Sequence, residues 1–260
     1  MSDEILLRQD LGPVTTLTLN NPGSLNALSV SMLARLAQVL TDLAGSSQRV
    51  VILRATGKAF SAGHDLKEIQ TFRSRPDGGT ADFTALFSNC AQVMQQITRL
   101  PQPVIAQVHA IAAAAGCQLA ASCDMVVAAD NASFGINGVN IGLYCHTPLV
   151  ALSQKIPRAQ ALELASTGAF LTAAQAHSAG LVTRVTTPDQ LETDTMSLAR
   201  TLANKLPSAL AAGKRAAAPD LAAIYDKATR AMVANLLNPD TDEGISAFLE
   251  KRLPNWAPNP

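Results

Sequence analysis

Ile111-Ala-Ala-Ala-Ala-Gly-Cys-Gln-Leu-Ala-Ala-Ser-Cys-Asp124 is a run of very small residues that leads straight into a short helix, with Gln118 one turn inside. Small side chains let a ligand approach the backbone, and a helix start leaves N–H groups without intrahelical acceptors. Such groups favour developing negative charge, so the segment reads as an anion site made of backbone alone. Gln118 itself neither gives nor takes a proton near neutral pH. On either side lie Val104-Ile-Ala-Gln-Val108 and Met125-Val-Val-Ala-Ala129, apolar runs of strand length. Strand, small-residue run, helix and strand in this order is the alternation of an α/β protein.

The same alternation extends outward. Val14-Thr-Thr-Leu-Thr-Leu-Asn20 alternates at period two and reads as a strand, with Asn21-Pro-Gly as a turn after it. Met32, Leu33, Leu36, Val39, Leu40 and Leu43 recur at helical spacing, which predicts a helix from Ser29 to Ala44 capped by Ser29 or Ser31. Val50-Val-Ile-Leu-Arg54 is a continuous apolar run of the kind found in buried parallel strands. Phe60 to Lys67 reads as a loop, Arg73 to Thr80 as a mobile stretch, and Phe83 to Leu100 as a helix. Strands end near Thr187. Leu191–Lys205, Pro207–Ala217, Leu221–Leu237 and Asp242–Lys251 then read as helices, so the expected division is an α/β core over residues 1–190 and a helical region over 191–260. No internal repeat is visible in the sequence.

Composition narrows the function. Hydrophobic residues make up 48% of the 260 and charged residues 15%, a globular composition. The formal net charge is zero, so no general electrostatic pull draws the chain to nucleic acid or anionic membrane. Residues 104–123 are apolar, but they are mostly alanine and broken by Gln107, His109 and Gln118, too weak for a spanning helix. Cys90, Cys117, Cys123 and Cys145 show no CxxC spacing and no zinc-ligand pattern, so they are expected to be reduced and mostly buried. Met1-Ser-Asp-Glu4 lacks the basic and apolar regions of a signal peptide, and the expected location is the cytoplasm. A dehydrogenase reading fails: no GxGxxG follows the first strand and no Tyr-x-x-x-Lys pair occurs.

Three segments carry a resemblance. Asn21-Pro-Gly-Ser-Leu-Asn-Ala-Leu28 is an NPxxxNAL element, and Phe60-Ser-Ala-Gly-His-Asp-Leu-Lys-Glu68 follows F-x-A-G-x-D-L-K-E. Leu100-Pro-Gln-Pro-Val-Ile-Ala, Gly116-Cys-Gln-Leu-Ala and Cys123-Asp124 follow K-P-x-I-A, G-G-G-x-x-L-A and C-D. Ala132-Ser-Phe-Gly135, Ala173–Val185 and Glu243–Arg252 add further matches in order. Together they resemble the enoyl-CoA hydratase/isomerase (crotonase) family nearly end to end, and in particular its enoyl-CoA hydratase domain-containing branch. The resemblance implies a repeated ββα spiral core with a helical C-terminal trimerisation region, assembled as a homotrimer or dimer of trimers. It implies an acyl-CoA or enoyl-CoA ligand, with coenzyme A as part of the substrate and no metal or prosthetic group. Carried over residue by residue, the backbone amides of His64 and Ala115 form the oxyanion hole for a thioester enolate. Ser24, Leu25, Ala27, Ala62, Asp65 and Leu66 line the site, and Phe248 and Lys251 reach it from the tail of a neighbouring subunit. Lys251 alternatively reads as a solvated surface lysine, and Phe248 as core.

The sequence departs from this pattern where hydration needs it most. Gln118 occupies the position of one of the family's two glutamates, and Gly138, aligned through Phe134-Gly135, that of the other. Neither residue exchanges a proton. The segment Gly135–Pro148 should face the acyl end and offers Asn137, Asn140, Tyr144, Cys145 and His146. His146 has a side chain able to act as acid or base, or it is a hydrogen-bonded structural histidine. Two functions follow: an enzyme acting on an acyl-CoA through an enolate, nominally hydratase or isomerase, or a non-catalytic acyl-CoA-binding protein.

Overall fold

The computed structural model describes residues 4–256. Its first hairpin joins β1 (Leu6–Leu11) to β2 (Val14–Leu19) antiparallel, with Leu6 opposite Leu19. Helix α1 (Val30–Ala44) starts at Ser29, whose hydroxyl accepts from the Met32 N–H, and it buries the six apolar residues whose spacing predicted it. Then come β3 (Val50–Ala55), β4 (Ala59–Ser61), α2 (Leu66–Arg73) and α3 (Thr80–Arg99). Next are β5 (Val104–Val108), β6 (Ile111–Ala113), α4 (Ala115–Ser122), β7 (Met125–Ala129), β8 (Ser133–Gly135) and α5 (His146–Leu152). Helix α6 (Arg158–Thr167), β9 (Phe170–Thr172), α7 (Ala173–Ala179) and β10 (Arg184–Thr186) complete the strands. The chain ends in α8 (Leu191–Ala203), α9 (Pro207–Ala217), α10 (Ala222–Leu236) and α11 (Pro239–Glu250).

Among the described residues the strands form two sheets, ordered β1-β2-β3-β5-β7-β10 and β4-β6-β8-β9. Three successive units, each two strands followed by helix, give their first strand to the larger sheet and their second to the smaller. This is the repeated ββα spiral with helices gathered at the C-terminus that the resemblance implied. The repeat lies in backbone topology and leaves no trace as repeated sequence. Strand β3 explains its own continuous apolar run. Val51 and Leu53 face the main core, while Val50 and Ile52 face a second layer made by Leu191, Leu198, Ala199 and Ala203 of α8. Helix α8 therefore seals the outer face of the larger sheet.

Three local expectations change. β1 was not evident in the sequence because most of its residues are exposed and give no periodic signal. The stretch after Arg73 is a turn held by Asp77, whose carboxylate accepts from the N–H groups of Gly79 and Ala81 and starts α3 earlier than its apolar pattern does. The loop from Phe60 to Lys67 is shorter than its composition suggested, since β4 and α2 occupy its ends.

Candidate active site

A cleft of about 360 Å³ opens where the second sheet, the start of α4 and the C-terminal helices meet. Its mouth is exposed at Leu25 and at Phe248, which is 60% accessible. Its far end is closed by the buried side chains of Leu143, Cys145, Pro148 and Met232. The gradient in exposure gives the cleft a direction, from a solvated entrance to an apolar interior.

The first wall is built by Asn26. This side chain is fully buried, donates to the carbonyls of Thr56 (2.7 Å) and Ala59 (2.9 Å), and accepts from the Asn21 N–H at 2.9 Å. It fixes the turn that presents Ser24, Leu25 and Ala27 to the cleft. The chain then crosses to Ala62, whose N–H bonds the Leu25 carbonyl, and to Gly63, whose carbonyl accepts from Leu28 at 2.7 Å. Gly63 has φ +95, and a Cβ there would lie 2.9 Å from the Ala114 Cβ and 3.2 Å from the Ala115 nitrogen. Only glycine lets the two segments come this close. Asp65 caps α2 by accepting from Lys67 (2.9 Å), and Glu68 accepts from the Val30 N–H at the start of α1, its pKa raised by burial.

The second wall starts at Ala114, the residue before α4, which has φ 48 and ψ −121. That combination is costly for a residue with a Cβ. It is held by the bond from the Ala114 N–H to the Gly135 carbonyl at 2.8 Å. The turn leaves the Ala115 N–H, the first of α4, without an acceptor, and Gly116 packs directly on the Ser61 carbonyl. His64 and Ala115 both line the cleft, and neither N–H has a hydrogen-bond acceptor among the described residues. Two such donors beside an apolar cavity can polarise a carbonyl that enters between them.

The side chains are less reactive than the backbone. The Nδ1 of His64 lies 3.0 Å from the Leu28 carbonyl and so carries the proton, its Nε2 is buried without a partner, and its ring meets Phe87 edge-on at 5.2 Å. Burial pushes its pKa down to about 4, so the ring is neutral. Cys145 accepts from the Gly138 N–H at 3.3 Å, and burial pushes its thiol up to about 11. Asp65 is the one carboxylate in the wall among the described residues. No group of three or more His, Cys, Asp or Glu side chains among them is placed to hold a metal ion. No described helix is long and apolar enough to cross a membrane.

The family model described as "Enoyl-CoA hydratase/isomerase" matches residues 11–259. The chain belongs to the enoyl-CoA hydratase/isomerase family. Within it the branch is that of the enoyl-CoA hydratase domain-containing proteins: the human mitochondrial "Enoyl-CoA hydratase domain-containing protein 3" is 42% identical over 97% of this chain and 83% of its own length. The zebrafish (Danio rerio) protein of the same name is 40% identical over 98% of this chain and 89% of its own. The solved structure of a Mycobacterium smegmatis enoyl-CoA hydratase superposes with a TM-score of 0.78 at 45% identity, covering 98% of this chain and 99% of that one. The expected cytoplasmic location is overturned by the names of these relatives, which are mitochondrial proteins. Reduced thiols are compatible with more than one compartment and carry no address.

The candidate positions divide between the cleft wall and the rest of the fold. Ser24, Leu25, Ala27, Ala62, His64, Asp65, Leu66, Ala115, Gly138 and Phe248 all line the cleft. Phe248 does so in its own chain, with α11 folded over the mouth. Lys251, at the end of α11, is exposed and outside the wall. Gln118 and His146 are outside the wall as well. Gln118 is fully buried and turned toward α10, with its Nε2 3.5 Å from the Tyr225 hydroxyl and its Oε1 unpartnered. His146 starts α5 with Nδ1 2.9 Å from the Tyr144 carbonyl, and burial lowers its pKa. Of the other polar residues in 135–148, Asn137 and Cys145 reach the cleft, and Asn140 packs on Gly168 instead. Sequence reasoning missed Met232, and within the segment 135–148 it did not single out Leu143. Met232 comes from α10, far along the chain, and its apolar spacing marks only a buried helix face.

Proposed function

We propose that this protein binds an acyl-CoA thioester, seats its carbonyl oxygen between the backbone N–H groups of His64 and Ala115, and stabilises enolate character there. The observation that carries this reading is that His64 and Ala115, whose N–H groups have no acceptor, both line one apolar cleft and are held together by the close approach of Gly63 to Ala115. The thioester enters past Leu25 and Phe248, and the acyl group runs toward Leu143 and Met232.

Hydration also needs a group to deprotonate water and one to protonate the α-carbon. Glutamine stands at 118 and glycine at 138, and no wall residue at the inner end carries a carboxylate. Losing general acid–base catalysis costs about 10²–10⁴-fold per group. The expected outcome is therefore tight, saturable binding of acyl-CoA by calorimetry, with crotonyl-CoA hydrated orders of magnitude more slowly than by two-glutamate members of the family. Hydration at ordinary family rates would refute the second half, and failure to bind any CoA thioester would refute the first. Non-catalytic acyl-CoA binding is the second reading, favoured by the same lack of an acid near the acyl end.

A further inference from the structure

The inner end of the cleft is closed by Pro148 of α5, Met232 of α10 and the segment Gly138 to Cys145, a short 3-10 turn followed by loop. This segment folds back on itself, with the Leu143 N–H bonded to the Gly138 carbonyl at 3.0 Å. A Cβ on Gly138 would fall on the Leu143 carbonyl oxygen, so the two ends of the loop are packed backbone to backbone. Leu143 is 5% accessible and forms the terminal wall beside Cys145.

What holds the loop there comes from the C-terminal helices. The Asn235 carboxamide, on α10, accepts from the Tyr144 N–H at 2.7 Å and donates to the Gly142 carbonyl at 3.1 Å, straddling Leu143. Its Nδ2 also donates to the Thr241 hydroxyl at 3.2 Å, and that hydroxyl lies between the Asn235 backbone carbonyl (2.8 Å) and the Gly142 carbonyl (2.9 Å). Gly244 of α11 rests on the Ile141 carbonyl with no room for a side chain. Met232, one turn before Asn235 on α10, is itself in the cleft wall. One helix thus supplies both a wall residue and the clamp for the loop opposite.

We propose that Asn235 is a specificity-determining positioning residue, which with Thr241 fixes Leu143 as the end stop of the cleft and restricts it to short acyl chains. The proposal rests on the acyl-CoA reading above and adds the chain length. A cleft of about 360 Å³ is near the small end of ligand sites, and the thioester and part of its pantetheine arm share it. Each methylene that reaches apolar wall strengthens binding about fourfold, and one that meets the end stop does not.

The test is a series of saturated straight-chain acyl-CoA thioesters from two to ten carbons, with free CoA as reference, titrated into the full-length wild type and variants. In the wild type, affinity climbs with length and then breaks at a short chain. In Asn235→Ala the break moves at least two carbons longer, while affinity for acetyl-CoA changes less than twofold. Thr241→Val moves the break in the same direction, and Thr241→Ser, which keeps the hydroxyl, leaves it in place. Thr241→Val also serves if Asn235→Ala does not fold. A merely structural role for Asn235 would weaken all lengths together, and that result, or an unmoved break, overturns the assignment. If the wild type binds no thioester of any length, the acyl-CoA reading fails and the end stop falls with it.

Discussion

Ala114→Gly should stabilise the protein, and the structure gives the size of the effect. At φ 48 and ψ −121 Ala114 occupies a region that suits glycine and strains alanine, at a cost of about 1–3 kcal/mol. Glycine removes that strain. Against this, glycine enlarges the unfolded ensemble, costing about 0.4–1 kcal/mol. Ala114 is half-buried beside Gly63, so losing part of a methyl group's burial costs a few tenths of the ~0.8 kcal/mol of a full one. The balance is about 1 kcal/mol in favour of glycine, or a rise in Tm of roughly 2–4 °C. Thermal unfolding followed by circular dichroism reads this directly. The geometry makes Ala114→Val the opposite case, since a β-branched residue cannot relax there. A lower Tm for Ala114→Gly would refute the strain, and with it the claim that the turn leading to the Ala115 N–H is held against its own backbone preference.

Gly63→Ala should cost about 3 kcal/mol from backbone strain and overlap, because its Cβ would press on Ala114 and on the Ala115 nitrogen. Thioester affinity should fall with stability, whereas Gly12→Ala, at φ +61 in open space, should cost only the strain; equal losses in the two variants would refute the close approach. His64 makes stability depend on pH. Its folded pKa of about 4 lies below the ordinary 6.5, so its contribution is whole above pH 6.5 and is lost as pH falls from there toward 4, where the unfolded chain alone takes the proton. Denaturant unfolding of wild type and His64→Gln should show the wild-type advantage shrinking by about 3 kcal/mol between pH 7 and pH 4, and parallel pH profiles would contradict a buried neutral ring.

Much of the fold is legible because burial imposes periodicity. Helix α1 announces itself through six apolar residues and Ser29, and β3 through an unbroken run buried on both faces. Strands β4, β6 and β8 are only three residues long, too short for any period to register. The candidate site divides the same way. The glycine and small-residue segments at 60–68 and 111–124 are local and contiguous, so their chemistry can be read from sequence. The inner wall is made by contacts across roughly 90 residues, Asn235 to Gly142 and Tyr144. Nothing in the identity of Asn235 marks it among the other asparagines.

Gln118 and Gly138 look alike as sequence departures, each a residue without a proton to exchange at a position where the resemblance expects an acid. Structurally they are different events. Gln118 keeps the size of glutamate and, through a long contact, meets Tyr225 of α10, outside the cleft wall. Gly138 belongs to a backbone path that excludes any side chain, because the Leu143 carbonyl already occupies the place of its Cβ. An acid at 138 would require the loop to open, and the loop is tied shut by Asn235 and Thr241 from two other helices. The change at 138 is therefore coupled to residues a hundred positions away. On the proposed acyl-CoA reading, the loop that leaves no room for a side chain at 138 is also the loop that would end the acyl path, so one structural element would set both the chemistry and the chain length.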